Sequence, residues 1–163
     1  MMNYNIRAIQ TNEYALLEEF LFEAIFIPAG SEVPPRSILL TPELQVYINR
    51  FGNSIHDHAL IAEIHGEVIG AIWVRIMDDY GHVDDNTPSL AMSIVKTYRG
   101  LGIGSALLKE LLSLLKDKGY QQVSLSVQKD NYAVRLYERN GFVIVKDQGE
   151  ELIMVKYLEG DSI

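Results

Sequence analysis

No cysteine occurs anywhere in the 163 residues. Disulfide frameworks, thiolate metal sites and a cysteine nucleophile are therefore excluded together. Basic residues are also few: 14 Lys and Arg stand against 22 Asp and Glu, for a net charge of -8. Such a chain is ill suited to tracking a phosphate backbone, so no nucleic-acid partner is expected. The acidic surplus favours a cationic substrate such as an amine, and it also serves plain solubility. No apolar run reaches the length of a membrane span, and Met1 to Gln10 lacks the basic-then-apolar order of a signal peptide. The expectation is a cytoplasmic protein without a membrane partner. No repeat, low-complexity tract or composition shift divides the chain, so residues 1–163 are expected to be a single domain with its own core.

Apolar patterning alternates between strand and helix. Tyr4 to Ile9 reads as a first strand, and Asn12 as the cap of a helix running to about Phe26. Pro28, Gly30, Pro34 and Pro35 make a loop, and Thr41-Pro42-Glu43 opens a short helix through Phe51. His58 to Ile64 and Val68 to Met77 are strands joined by a turn at His65-Gly66-Glu67. A polar stretch, Asp78 to Pro88, leads to a strand at Ser89 to Lys96. Gly104 to Lys118 carries one broad apolar face and ends at Gly119, as a helix should. Strands at Val123 to Gln128, Phe142 to Val145 and Leu152 to Leu158 surround a short helix, Asn131 to Asn140. His56 and His58 share one side of an expected strand, but no third ligand stands at useful spacing, so no metal is expected.

The most informative segment is Arg99-Gly100-Leu101-Gly102-Ile103-Gly104-Ser105, between a strand and a long helix. Closely spaced glycines let backbone N–H groups converge, and a helix N-terminus adds partial positive charge. Together they suit a phosphate or diphosphate. A P-loop needs Lys-Ser or Lys-Thr after its last glycine, and here Ser105-Ala106 follows. A dinucleotide fingerprint needs G-x-G-x-x-G, and here the third glycine comes one position early.

The spacing R-x-x-G-x-G resembles the GNAT superfamily of N-acetyltransferases, whose backbone amides at this motif hold the coenzyme A diphosphate. Ala91 to Tyr98 resembles the strand entering the motif, with Lys96 where proline is common. Leu125 to Asn131 resembles the following strand with its terminal asparagine. Ala133-Val134-Arg135-Leu136-Tyr137-Glu138-Arg139-Asn140-Gly141-Phe142 is similar to the family's A-x-x-L-Y-x-x-x-G-F segment.

The resemblance implies an α/β fold, a mixed central β-sheet flanked by helices on both faces. It implies acetyl-CoA as acyl donor and direct transfer to a primary amine of a small molecule or peptide, in a monomer or homodimer. Tyr137 would protonate the leaving thiolate. Ile94, Val95 and Lys96 would offer main-chain groups to the pantetheine, Asn131 would make an amide contact to the arm or its neighbourhood, and the small Ala133 would leave room for it. Arg99, Gly100, Leu101, Gly102, Ile103, Gly104 and Ser105 would hold the diphosphate, and the loop Pro28 to Ser37 with the helix after it would form the acceptor wall.

Members that acetylate protein N-termini often carry glutamate where this chain has Ser126, which counts against that subclass. The general base stays open among Glu63, His82, Asp84, Asp85 and water. A non-catalytic acyl-CoA-binding module of the same fold is the alternative, and a nucleotide-binding protein lacks the Lys-Ser or Lys-Thr it would need.

Overall fold

The computed structural model describes residues 3–158. In chain order the elements are β1 (Asn5–Ala8), α1 (Leu16–Ala24), α2 (Pro42–Gln45), β2 (His58–Ile64), β3 (Glu67–Arg75) and β4 (Ser89–Ile94). They continue with α3 (Ile103–Asp117), β5 (Gln122–Gln128), α4 (Ala133–Arg139), β6 (Val143–Asp147) and β7 (Glu151–Tyr157). The seven strands form one mixed sheet in the order β1-β2-β3-β4-β5-β7-β6. Among the described residues only β4 and β5 pair in parallel. The β2–β3 hairpin turns at His65 and Gly66, both with positive φ, which matches the right-handed strand twist.

Strand alternation sends apolar side chains to both faces, and each face is covered by helix. Leu60, Ile72, Leu90, Leu125 and Met154 pack with Leu107, Leu108, Leu111 and Leu115 of α3 and Tyr137 of α4. On the opposite face Ile61, Ala71 and Trp73 pack with Leu17, Phe20 and Leu21 of α1 and with Leu39, Tyr47 and Phe51. The fold class expected from the resemblance is the one observed.

Two local expectations are corrected. The helix expected from Asn12 to Phe26 is a 3-10 turn at Thr11–Glu13 followed by α1. Asn12 is not its cap, because the Glu13 carboxylate accepts the Gln10 amide at 2.8 Å and fixes the chain one turn earlier. The helix expected through Phe51 stops at Gln45 and continues as turns, since the chain must bend to reach β2.

That bend is held from below by β3. Trp73 Nε1 donates to the Tyr47 carbonyl at 3.0 Å. Arg75 meets both Asp57 carboxylate oxygens at 3.2 Å and donates to the carbonyls of Val46 and Asn49 at 3.1 and 2.8 Å. The pair is withdrawn from solvent, with side-chain exposures of 11% and 1%. Removing one member of a buried, hydrogen-bonded pair leaves the other charge uncompensated. Arg75→Met should therefore lower stability by about 3–5 kcal/mol, read as a shift of the urea midpoint with unchanged slope.

Candidate active site

The sheet opens where the resemblance places the donor. β4 and β5 share one ladder pair, Ser89↔Ser124. Beyond it β4 continues with β3 as far as Gly70↔Ile94, and β5 continues with β7 as far as Gln128↔Glu151. The two parallel strands have parted, leaving a gap from about Leu90 to Ile94 on one side and Leu125 to Gln128 on the other.

The Gly-rich turn and α4 flank that gap on the α3 face. Gly100 and Gly102 have φ of 77° and 88°, a region costly for residues with a Cβ. Added Cβ atoms there would meet nothing within 4 Å, so the turn presents bare backbone to open space. The first α-helical hydrogen bond of α3 runs from Ala106 N–H to the Gly102 carbonyl at 3.1 Å. The amides of Ile103, Gly104 and Ser105 therefore precede the first closed turn and are free to bind an anion. A Cβ on Gly104 would lie 3.6 Å from Met92 of β4 and 3.7 Å from Leu136 of α4. This glycine thus sits where turn, open strand and α4 meet. A ligand bearing a diphosphate and a long neutral arm fits this arrangement. Leu101, the turn's own side chain, is half exposed.

Main-chain groups at the end of β4 are partly taken. Val95 N–H donates to the Ile69 carbonyl at 2.8 Å, and the Val95 carbonyl accepts from Tyr98 at 2.8 Å. By the alternation of an antiparallel ladder, Ile94 then turns its N–H and carbonyl toward the gap. Its carbonyl accepts Arg99 Nε at 2.8 Å. Arg99 also reaches the Glu23 carbonyl at 3.3 Å and carboxylate at 3.5 Å. Its guanidinium thus ties the motif to the end of α1. The Lys96 carbonyl accepts from Arg99 N–H at 3.3 Å.

On α4, Asn131 Oδ1 accepts the Ala133 amide at 2.9 Å and so starts the helix. Tyr137 follows Ala133 by one turn, buried with its ring 5.5 Å from that of Phe142. Burial alone pushes its phenol pKa above the ordinary value, so the group holds its proton at neutral pH.

The four side chains considered as bases lie elsewhere or are engaged. Glu63 is held by Arg7 at 3.1 Å, which keeps its carboxyl below the usual range. Asp84 accepts from Thr87 Oγ1 at 2.8 Å and from the Asn86 amide at 2.9 Å, which stabilise its charged form. Asp84 and Asp85 border an open groove of about 710 Å³ at the start of β5, with Thr87, Tyr120 and Gln122. That is the closed end of the β4–β5 pair. His82 meets the Met77 carbonyl at 2.9 Å and Asp85 at 3.4 Å. His56 binds Tyr120 Oη at 2.6 Å, and the His58 ring lies edge-on to the same phenol.

Sequence reasoning passed over a polar cluster on the other face of the open strands. Ser89 Oγ donates to Asp79 Oδ1 at 2.7 Å, while Asp79 Oδ2 is buried with no partner among the described residues. Tyr47 is buried, and burial first, then the Asp79 charge, raises its phenol above the ordinary value. The residues are far apart in the chain, and Tyr47 stands in a segment whose pattern reads simply as helix.

The model of the acetyltransferase (GNAT) family matches residues 23–142. The N-alpha-acetyltransferase of Sulfurisphaera tokodaii is 34% identical over 95 residues, 53% of this chain and 56% of that protein. The chain spans roughly a third to two thirds of the length of the curated relatives it matches. A GNAT-family acetyltransferase from Streptococcus pneumoniae is 26% identical with a TM-score of 0.71, over 95% of this chain and 99% of that one. The PaiA N-acetyltransferase of Thermoplasma acidophilum, solved with coenzyme A, has a TM-score of 0.71 at 23% identity, over 96% and 99% of the two chains. The fold agrees with these structures, the family model covers most of the sequence, and the chain belongs to the acetyltransferase (GNAT) family.

Proposed function

We propose that this protein is an N-acetyltransferase that moves the acetyl group of acetyl-coenzyme A directly to a primary amine of a small molecule or peptide, in the cytoplasm. The observation that carries the reading is the gap between β4 and β5, with free helix amides on one side and a buried phenol on the other. The amides of Ile103, Gly104 and Ser105 hold the diphosphate, and the open edge of β4 lines the pantetheine arm. Tyr137 keeps its proton until thiolate leaves, then supplies it; a phenol is a competent donor to a basic thiolate. The coenzyme A complex of the Thermoplasma protein and the N-alpha-acetyltransferase name of the Sulfurisphaera relative support the donor and the amine chemistry.

Ligand that binds only the folded state stabilises it by mass action. Millimolar acetyl-coenzyme A should raise the melting temperature clearly, and ATP or NAD should not. The same preparation should release thiol when offered a panel of amines. A shift with ATP and none with acetyl-coenzyme A would overturn the assignment. Acetyl-coenzyme A binding without turnover on any amine would favour a non-catalytic acyl-CoA-binding module.

A further inference from the structure

Helix α1 ends without the charge its last carbonyls favour. Its final turn carries no basic residue and holds the acidic Glu23, although the C-terminal end of a helix dipole prefers a cation. The missing charge arrives from 76 residues away. Arg99 Nη2 donates to the Glu23 carbonyl at 3.3 Å and lies 3.5 Å from the Glu23 carboxylate. Nε of the same guanidinium donates to the carbonyl of Ile94, the last residue of β4, at 2.8 Å. Two of its three nitrogens are thereby committed, and one planar group spans from the open strand to the last turn of α1.

Glu19 stands one turn before Glu23 on the same helix face and holds a second arginine. Arg36 Nη2 donates to Glu19 Oε1 at 2.8 Å, and its guanidinium lies 4.9 Å from the centre of the Phe22 ring. The chain leaves α1 at Ile25, where the backbone becomes extended, and Arg36 opens the next helical turn. Residues 25–35 are thus fastened to one face of α1 at both ends, by Arg99 where they begin and by Arg36 where they finish. The opposite face of α1 is seated on β4, since Leu17, Phe20 and Leu21 share a core with Ala91 and Val95. Arg99 and Glu23 are each 47% exposed, and exposed ion pairs add little to stability. What such a bridge fixes is a position.

We propose that Arg99 is a positioning residue for the acceptor and not a ligand of the diphosphate: it sets the end of α1, and with it residues 25–35, against the open end of β4, where the amine meets the thioester. The proposal rests on the acetyl-transfer reading. An amine seated against this segment is held at a fixed distance from the donor, because one guanidinium joins the segment to the strand that lines the pantetheine. Lysine does not replace it, since an ammonium on a flexible stem cannot bridge two partners in fixed directions.

Arg99→Met removes the bridge, and Arg99→Lys removes it while keeping a positive charge beside the glycine turn. In the parent the Ile25 amide closes the last turn of α1 on the Phe22 carbonyl at 3.2 Å. Hydrogen exchange over residues 22–31, read by mass spectrometry, should be about tenfold faster in both variants. Calorimetry should find acetyl-coenzyme A affinity within about threefold of the parent in both. With 1,4-diaminobutane or an alanyl tripeptide as probe, KM for the amine should rise about tenfold in both, with kcat within about threefold. Glu23→Gln, which keeps the carbonyl contact and loses the carboxylate, should show a smaller rise and carries the test if an Arg99 variant folds poorly. Acetyl-coenzyme A affinity that falls about tenfold in Arg99→Met and returns in Arg99→Lys, with exchange unchanged, would make Arg99 a diphosphate contact and overturn the proposal. Unaltered amine KM in both variants would overturn its link to the acceptor. Failure of the unsubstituted protein to bind acetyl-coenzyme A would instead refute the donor reading, and the exchange comparison would still judge the bridge.

Discussion

Tyr137→Phe is expected to lower kcat by about 10²–10⁴-fold while acetyl-coenzyme A affinity stays nearly unchanged. The ring is buried against Phe142 and among the residues of the α3-side core, so phenylalanine preserves its packing. What is lost is one proton, held by a phenol that burial makes less acidic than usual. That raised pKa places the alkaline limb of the parent's pH–rate profile above about 10, because activity falls only as the phenol ionises. The variant should lack this limb altogether. If amine deprotonation limits the rate instead of thiolate departure, the fall in kcat is smaller and the missing limb remains the diagnostic. Wild-type kcat throughout the pH range, on a turned-over acceptor, would leave the ring with packing as its whole role.

The second large effect is expected from the glycine turn. Gly104→Val should reduce acetyl-coenzyme A affinity at least about 100-fold, or about 2.7 kcal/mol. In the free protein a Cβ here makes ordinary contacts of 3.6 to 3.9 Å with Met92, Leu136 and Ile94, so the backbone accommodates the first carbon of a side chain. The valine branches then crowd the junction of turn, β4 and α4, where the proposed donor would lie. Gly102→Val should also abolish binding, but at φ 88° it strains the backbone by about 1–2 kcal/mol and so confounds affinity with stability. Gly104 is the cleaner test. Calorimetry on protein with an unchanged circular dichroism spectrum decides it, and retained affinity would make the turn purely structural.

Much of this protein is legible in its sequence because the relevant physics is local. The apolar spacing from Gly104 to Lys118 anticipates α3 to within one residue at each end. The His65-Gly66 turn is set by residues able to adopt positive φ, and Gly100 and Gly102 before α3 follow from the same rule. The approach of turn and α4 is also anticipated, though only through resemblance: nothing in the spacing of Ala133 and Tyr137 says which helix lies beside Gly104. The errors at Asn12 and in the stretch toward Phe51 are of another kind. There helical periodicity was present, but a side-chain bond from Glu13 and the need to turn back to the sheet ended the helices sooner.

The sequence by itself determined most of the elements, the apolar faces and the glycine-rich turn before α3, since each depends on neighbours a few positions away. Tertiary structure alone decided that β4 and β5 part after a single ladder pair, because strand register depends on which other strands hold each partner. It also decided that Glu63 and Asp84 are engaged by Arg7 and Thr87. It also brought Asp79 of the β3–β4 connection against Ser89 of β4, at 2.7 Å. Burial of a polar group is a property of everything packed around it, so no stretch of chain announces it in advance.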